Sequence, residues 1–360
     1  MAKSWNAESL AMPSVARLSP YQPGRLSEAG MIMLASNENP RGPSPAALEA
    51  AKQAATTLHR YPDGGASALR ALLAEQLSVS EDQLTFGNGS NDVLDLLACV
   101  FLGPGRSAVF SEHAFAVYPI ATQSAGGNAK VVAAKEYGHD LSAMAAASED
   151  RAVSLMFVAN PNNPTGHWLA AEDIEALLES VPSRVIVVVD EAYFEYAENQ
   201  AAYGSALPLL ARYPNLVVTR SFSKFHGLAA LRLGYAVSHP QVANLLNRVR
   251  HPFNVNAIAQ AAGVASLQDV GYLQACVAEN ADQRERLATR LAALGYVTMP
   301  SAANFLCVHM GDAAAANDWL LSQRIAVRPV ANYGLPEWLR ITIGTPEENE
   351  ALLLALEHWQ

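Results

Sequence analysis

Lys224 sits in the heptapeptide Ser221-Phe222-Ser223-Lys224-Phe225-His226-Gly227, and Arg232 follows in Leu231-Arg232-Leu233-Gly234-Tyr235. A primary amine condenses with an aldehyde to give a Schiff base, while hydroxyls and a guanidinium hold a phosphate. The segment therefore suits a phosphorylated aldehyde. Pyridoxal 5′-phosphate answers that description, and its ring is an electron sink for carbanion chemistry. A surface lysine in a serine-rich turn has the same local appearance, so the heptapeptide alone does not choose.

Other residues extend the same chemistry. Gly87-Asn88-Gly89-Ser90-Asn91 precedes an amphipathic run expected to be helical over 92–102. Glycines allow close backbone approach, and a helix start offers free N–H groups to a phosphate. The stretch is a helix cap on its own and the second half of a phosphate cup beside the Ser/Lys/Arg segment. It carries neither GxGxxG nor a P-loop lysine, which argues against a nucleotide site. Asp190 closes an apolar run and precedes Glu191-Ala192-Tyr193. Such an aspartate is commonly a turn residue, yet it could also pair with a protonated pyridine nitrogen. Tyr193 and Asn160 could hydrogen-bond the ring's phenolic oxygen and tune the Schiff base. Asn160-Pro161-Asn162-Asn163-Pro164-Thr165-Gly166 is equally satisfactory as a structural turn. Tyr118 reads as a ring-stacking aromatic or as a core residue.

Positioning these groups falls to short β-rich runs at 107–111, 153–159, 184–190, 216–220 and 233–238, separated by helical patterns such as 171–179. The run 184–190 is apolar on both faces, as in a parallel strand covered by helices. The expected fold class is α/β with a mostly parallel sheet. Ligands of such sheets bind outside the carboxyl ends of the strands, where Asn160, Asp190 and Ser221 to Lys224 would converge. Residues 1–44 are rich in proline and turn signals; residues 45–250 form the larger domain. Residues 251–360 read as a long helix over 264–294, a strand at 304–309, a helix, and a strand at 339–343. The two ends together would make a smaller α+β domain.

Composition bounds the partners. The 360 residues are 51% hydrophobic with a net charge of −10, against a sequence-independent grip on nucleic acid or anionic lipid. Cys99, Cys276 and Cys307 are odd in number and far apart, without disulfide or metal-ligand spacing, and their apolar contexts read as buried positions. No leader-like start or membrane-length apolar run occurs. The expectation is a cytoplasmic protein without a metal.

Taken together, these segments resemble the fold-type I pyridoxal-phosphate enzymes of the class I/II aminotransferase group, and most closely the histidinol-phosphate aminotransferase family. The resemblance runs through Leu18 to Gln22, Ser36 to Pro40, Arg60 to Asp63, Gly87 to Ser90, Asn160 to Gly166, Asp190 to Tyr193, Ser221 to Lys224, Pro252 to Val255, Asn304-Phe305 and Leu339 to Gly344. It implies that Lys224 carries the cofactor and shuttles the proton, that Asp190 pairs with the pyridine nitrogen, and that Asn160 and Tyr193 contact the phenolic oxygen. Gly89, Ser90, Asn91, Ser221, Ser223 and Arg232 would hold the phosphate, and Tyr118 would stack on the ring. Tyr61 resembles a tyrosine that crosses into a neighbouring subunit's site, which implies a homodimer. Arg340 would clamp the substrate carboxylate, with Tyr21, Asn37 and Arg328 as further substrate contacts and Arg328 placed for a phosphate. His226 and Ala230 stand where relatives often have Phe and Gly. A packed histidine is the simpler reading of His226.

The implied reaction is transamination between L-histidinol phosphate and 2-oxoglutarate, a step of histidine biosynthesis. Aromatic or broad-specificity transamination and threonine-phosphate decarboxylation share the scaffold. A non-catalytic ligand sensor is the reading from a different class; the acidic chain lacks an added helix-turn-helix segment.

Overall fold

The computed structural model describes residues 7–19 and 30–359. After a two-residue strand β1 (Ile32–Met33) come the strands of the larger sheet: β2 (Leu84–Gly87), β3 (Ser107–Ser111), β4 (Asn128–Val132), β5 (Val153–Ala159), β6 (Ile186–Asp190), β7 (Leu216–Ser221) and β8 (Gly234–Ser238). Their order is β2-β8-β7-β6-β5-β3-β4. Strands β3 to β7 run parallel, and β8 is antiparallel to both β7 and β2. The sheet is thus mixed but mostly parallel, as the sequence implies.

Alternation along the central strands builds two cores at once. Val187 and Val189 face one hydrophobic cluster together with Met156 and Val158. Ile186 and Val188 face the other with Leu155 and Phe157. Side chains of a strand point alternately to opposite faces, so an apolar run of this kind needs helices on both sides. The helix Ala171–Ser180 covers one face through Ile174, Leu177 and Leu178, and Ser90–Phe101 covers the other through Val93, Leu94 and Leu97. Strands β2 and β4 escaped the sequence reading. One is four residues long and runs into glycine; the other is an edge strand with half-exposed side chains and Lys130 at its centre.

The smaller unit contains β9 (Val297–Thr298), β10 (Phe305–His309), β11 (Ile325–Ala326), β12 (Arg328–Pro329) and β13 (Trp338–Thr342). An antiparallel sheet of order β12-β13-β10-β9 forms its centre, and β1 pairs in parallel with β11. Leu34 joins Leu306, Leu339 and Leu352 in one core, so the early segment packs with the C-terminal elements. The core of the larger sheet also draws on residues beyond 251, the boundary expected from the sequence. Ala259 and Ala262 of the helix Ala257–Gln268 belong to the larger core, and a side chain at Gly263 would meet Leu233 at 2.7 Å. Small residues there allow close packing that periodicity alone does not reveal. The expected single helix over 264–294 is likewise two helices, Ala257–Gln268 and Val270–Ala293, separated at Asp269.

One cysteine also departs from expectation. Cys276 and Cys307 are buried, but Cys99 is exposed. It lies one turn beyond exposed Asp95, on the face of Ser90–Phe101 opposite Val93, Leu94 and Leu97. No helix of the described residues is long and apolar enough to cross a membrane.

Candidate active site

The carboxyl ends of β5, β6 and β7, the start of the helix Ser90–Phe101, the segment around Asn37 and the β12–β13 pair enclose a cavity of about 260 Å³. Lys224 enters it from the turn after β7 and donates from Nζ to the Ser36 carbonyl at 2.7 Å. Burial, reinforced by Arg340 and Arg232 and opposed by Glu38, pulls its pKa down to about 7. A substantial share of the amine is therefore neutral and nucleophilic near neutral pH.

Asp190, the last residue of β6, is buried and lines the cavity. Its Oδ2 accepts from Tyr118 Oη and its Oδ1 from Thr219 Oγ1, both at 3.0 Å. Burial raises its pKa, while those two donors oppose the shift. Tyr193 also lines the cavity. Its Oη accepts from Asn37 Nδ2 at 2.9 Å, and its ring meets Phe305 edge-on at 5.3 Å. Burial pushes the phenol up to about 12, so it keeps its proton at ordinary pH.

At one end of the cavity Ser90, Asn91, Ser221, Ser223 and Arg232 come together. Arg232 has a left-handed backbone (φ 57°), and its Nη1 donates to Ser223 Oγ at 3.2 Å and to the Ala229 carbonyl at 3.0 Å. A side chain at Gly89 (φ 88°) would run into the Arg232 guanidinium, so only glycine leaves this approach open. The result is a helix N-terminus, hydroxyls and a guanidinium facing one space.

Two more arginines lie across the cavity. Arg328 and Arg340 are directly opposite each other on β12 and β13. Arg340 is buried; Nη1 donates to Asn163 Oδ1 at 2.6 Å and Nη2 to the Ala35 carbonyl at 2.7 Å, while Nε has no partner. Like charges across a strand pair are unfavourable unless an anion lies between them. The arrangement is suited to a carboxylate or a phosphate.

Not every residue singled out in the sequence faces this space. Asn160 is fully buried with both amide atoms bonded to the backbone of Leu169, at 2.9 and 3.3 Å, and does not line the cavity. The strand end it follows turns it into the loop; Asn163, three residues on, presents the amide instead. Tyr118 is also turned inward, stacked on Phe157 at 4.6 Å, and serves Asp190 through its hydroxyl. Phe115, one helical turn earlier, is the aromatic at the cavity. Tyr61 is 83% exposed, stacked on Phe253 and away from the cavity. His226 is packed, as the simpler reading held: Nδ1 meets Ser266 Oγ at 2.8 Å and the ring stacks on Phe222. Tyr21 lies outside the described residues. Sequence reasoning missed Phe115, Asn163, Ser36, Glu38 and Tyr333 at the cavity. A second Asn-Pro pair in 160–166 and a second aromatic in 115–118 were the available signals.

The family model for aminotransferase class I and II matches residues 29–356, and the chain belongs to that family. It is 53% identical, over 98% of both chains, to Histidinol-phosphate aminotransferase 2 of Pseudomonas fluorescens (strain Pf0-1). It is 50% identical, over 96% of both chains, to the protein of the same name from Pseudomonas aeruginosa. Among solved structures, the histidinol-phosphate aminotransferase of Sinorhizobium meliloti in complex with pyridoxal-5′-phosphate superposes with a TM-score of 0.84 at 31% identity, covering 91% of this chain and 90% of that one.

Proposed function

We propose that this chain is a pyridoxal-phosphate-dependent transaminase that exchanges the amino group of L-histidinol phosphate with 2-oxoglutarate, giving imidazole-acetol phosphate and L-glutamate. The observation that carries the reading is the pair Arg328 and Arg340, set opposite each other across the cavity that also holds Lys224. The pair meets the alternation the reaction demands, a phosphate in one half and two carboxylates in the other.

The residues present fit the cofactor. Glycine at position 89 leaves the cup beside Arg232 open, and Arg340 lines the cavity with its Nε unpartnered. Pyridoxal phosphate, when bound, supplies a carbonyl for the substrate amine and a ring that stabilises negative charge at the α-carbon. Lys224 Nζ would hold the cofactor covalently; displaced by the substrate amine, it would take the proton from the substrate α-carbon and return it to the cofactor side. Asp190, kept buried and aligned by Tyr118 and Thr219, would hold a proton on the pyridine nitrogen. Tyr193 would donate to the ring's phenolic oxygen, with Asn163 beside Arg340 as the amide on that side. Ser90, Asn91, Ser221, Ser223 and Arg232 would bind the phosphate, and Phe115 would cover the ring face. Arg340 would orient the carboxylate of glutamate, and Arg328 the second anion.

We extend the reading to a homodimer, in which exposed Tyr61 and Phe253 would be covered by a second copy and Tyr61 would reach its site. The test mixes cofactor-loaded enzyme with L-histidinol phosphate, L-phenylalanine and O-phospho-L-threonine in separate single turnovers, following the visible band and the products by mass. Fastest conversion by histidinol phosphate supports the proposal. Equal or faster conversion by phenylalanine would make the enzyme a general aromatic transaminase, and carbon dioxide from phosphothreonine would make it a decarboxylase.

A further inference from the structure

Glu38 is the charged cavity residue that the proposed reaction leaves without a task. It is exposed and lines the cavity beside Lys224, Arg232, Arg328 and Arg340. An exposed glutamate is ordinarily a solvated surface group. Here the backbone on both sides is pinned. The Asn37 N–H donates to Thr342 Oγ1 at 2.9 Å, and Asn304 Nδ2 donates to the carbonyls of Asn37 and Glu38 at 3.0 and 3.3 Å. Asn39 Nδ2 donates to the Phe225 carbonyl at 2.8 Å. The three anchoring side chains, Thr342, Asn304 and Asn39, are all buried. These bonds engage the segment's backbone and its flanking amides, not the Glu38 carboxylate. Asp190, the other carboxylate of the cavity, is already bonded to Tyr118 and Thr219.

The proposed reading sets Arg232, Arg328 and Arg340 toward the anions of cofactor and substrates. What remains is the opposite polarity. Of the substrates in the proposed reaction, the amino-phosphate, and the ketone formed from it, carry an imidazole whose N–H can be donated and which protonates near neutrality. Glutamate and 2-oxoglutarate bring carboxylates, and a phenyl ring brings no donor. We propose that Glu38 is a specificity-determining residue whose carboxylate accepts the ring N–H of the amino-phosphate substrate. The proposal rests on the function proposed above. A charge-assisted bond of this kind favours the substrate that has the donor over one that lacks it. It also repels a second carboxylate in the same place. The Glu38 charge reaches the reacting end of the cavity, because it raises the Lys224 pKa against the effect of Arg340.

The test compares wild-type, E38A and E38Q holoenzymes on L-histidinol phosphate, L-phenylalanine and L-glutamate. In E38A, kcat/KM for histidinol phosphate should fall about 10- to 100-fold. That for phenylalanine should stay within about threefold, and glutamate should react as well or faster. E38Q keeps the shape and an acceptor oxygen without the charge, and should fall between. Calorimetry of histidinol phosphate binding on a Lys224→Ala background should show the same order of loss with no turnover involved. Equal losses on all three substrates, with a shifted pH dependence of the visible band, would mean that Glu38 only adjusts Lys224 and would overturn the proposal. No loss on any substrate would overturn it too. A wild-type preference for phenylalanine would instead remove the proposed function, so the two failures are distinguishable.

Discussion

Two polar clusters stand back to back on the same strand ends, and they are built on opposite terms. Glu191 follows Asp190, and Arg220 precedes Ser221, so alternation sends each pair to opposite sides of the sheet. On the far side, Arg220 bonds Glu191 Oε2 through Nε at 3.0 Å and Nη2 at 2.8 Å, and its guanidinium lies 3.8 Å over the Phe194 ring. Glu191 also accepts from Ser205 Oγ and from the Ala206 N–H. Arg220 and Glu191 pair directly there, with Glu195 as a nearby carboxyl that burial raises to about 7. On the cavity side, the charged lining among the described residues is Lys224, Arg232, Arg328 and Arg340 against Asp190 and Glu38. Both clusters are costly to desolvate. The difference is that one pairs an acid and a base within the fold, whereas the described lining of the other carries more cations than carboxylates.

The contrast can be tested by breaking each side in turn. The largest effect belongs to Lys224→Ala, expected to lower transamination by about 10⁴-fold or more in steady-state assays. The same variant should unfold in urea close to wild type and retain cofactor noncovalently. Next, Glu191→Gln or Arg220→Met alone should destabilise the protein by about 3–5 kcal/mol in chemical denaturation, because each strands a buried partner. The double variant should regain most of that loss. If the single changes instead weakened cofactor binding without affecting stability, the division between the two clusters would be wrong.

Smaller effects sharpen the picture. A phenol that donates to the phenolic oxygen stabilises its anionic form. Tyr193→Phe should therefore move the titration of the visible holoenzyme band upward, by about one pH unit. An unmoved midpoint would take Tyr193 out of that role. His226 supplies the mildest probe. Burial lowers its folded-state pKa to about 3, against about 6.5 for an unfolded histidine. The neutral ring costs nothing in charge balance above pH 6.5, and stability is lost as pH falls from there, at up to about 1.4 kcal/mol per unit. His226→Phe should flatten the acid limb of an unfolding series while leaving the ratio of activities on different substrates unchanged. His139, lowered to about 4, should keep part of the slope.

Much of the site was legible in the order of residues along the chain. Apolar runs such as 184–190 specify covered strands, and placing Lys224, Asp190 and the Ser221 to Ser223 hydroxyls at strand ends follows from chain order, because a parallel sheet gathers those ends along one edge. What periodicity could not determine was which neighbour on a turn faces inward. Phe115 and Tyr118, or Asn160 and Asn163, are equivalent as text; packing against Phe157 and bonding to Leu169 withdraw one of each pair from the cavity. The same holds for the helix Ala257–Gln268, whose small residues join the larger core across a long stretch of chain. Local pattern sets an element's type and rough place. The facing of a single side chain and the pairing of Arg328 with Arg340 depend on register and contacts between distant segments, which exist only once the chain is folded.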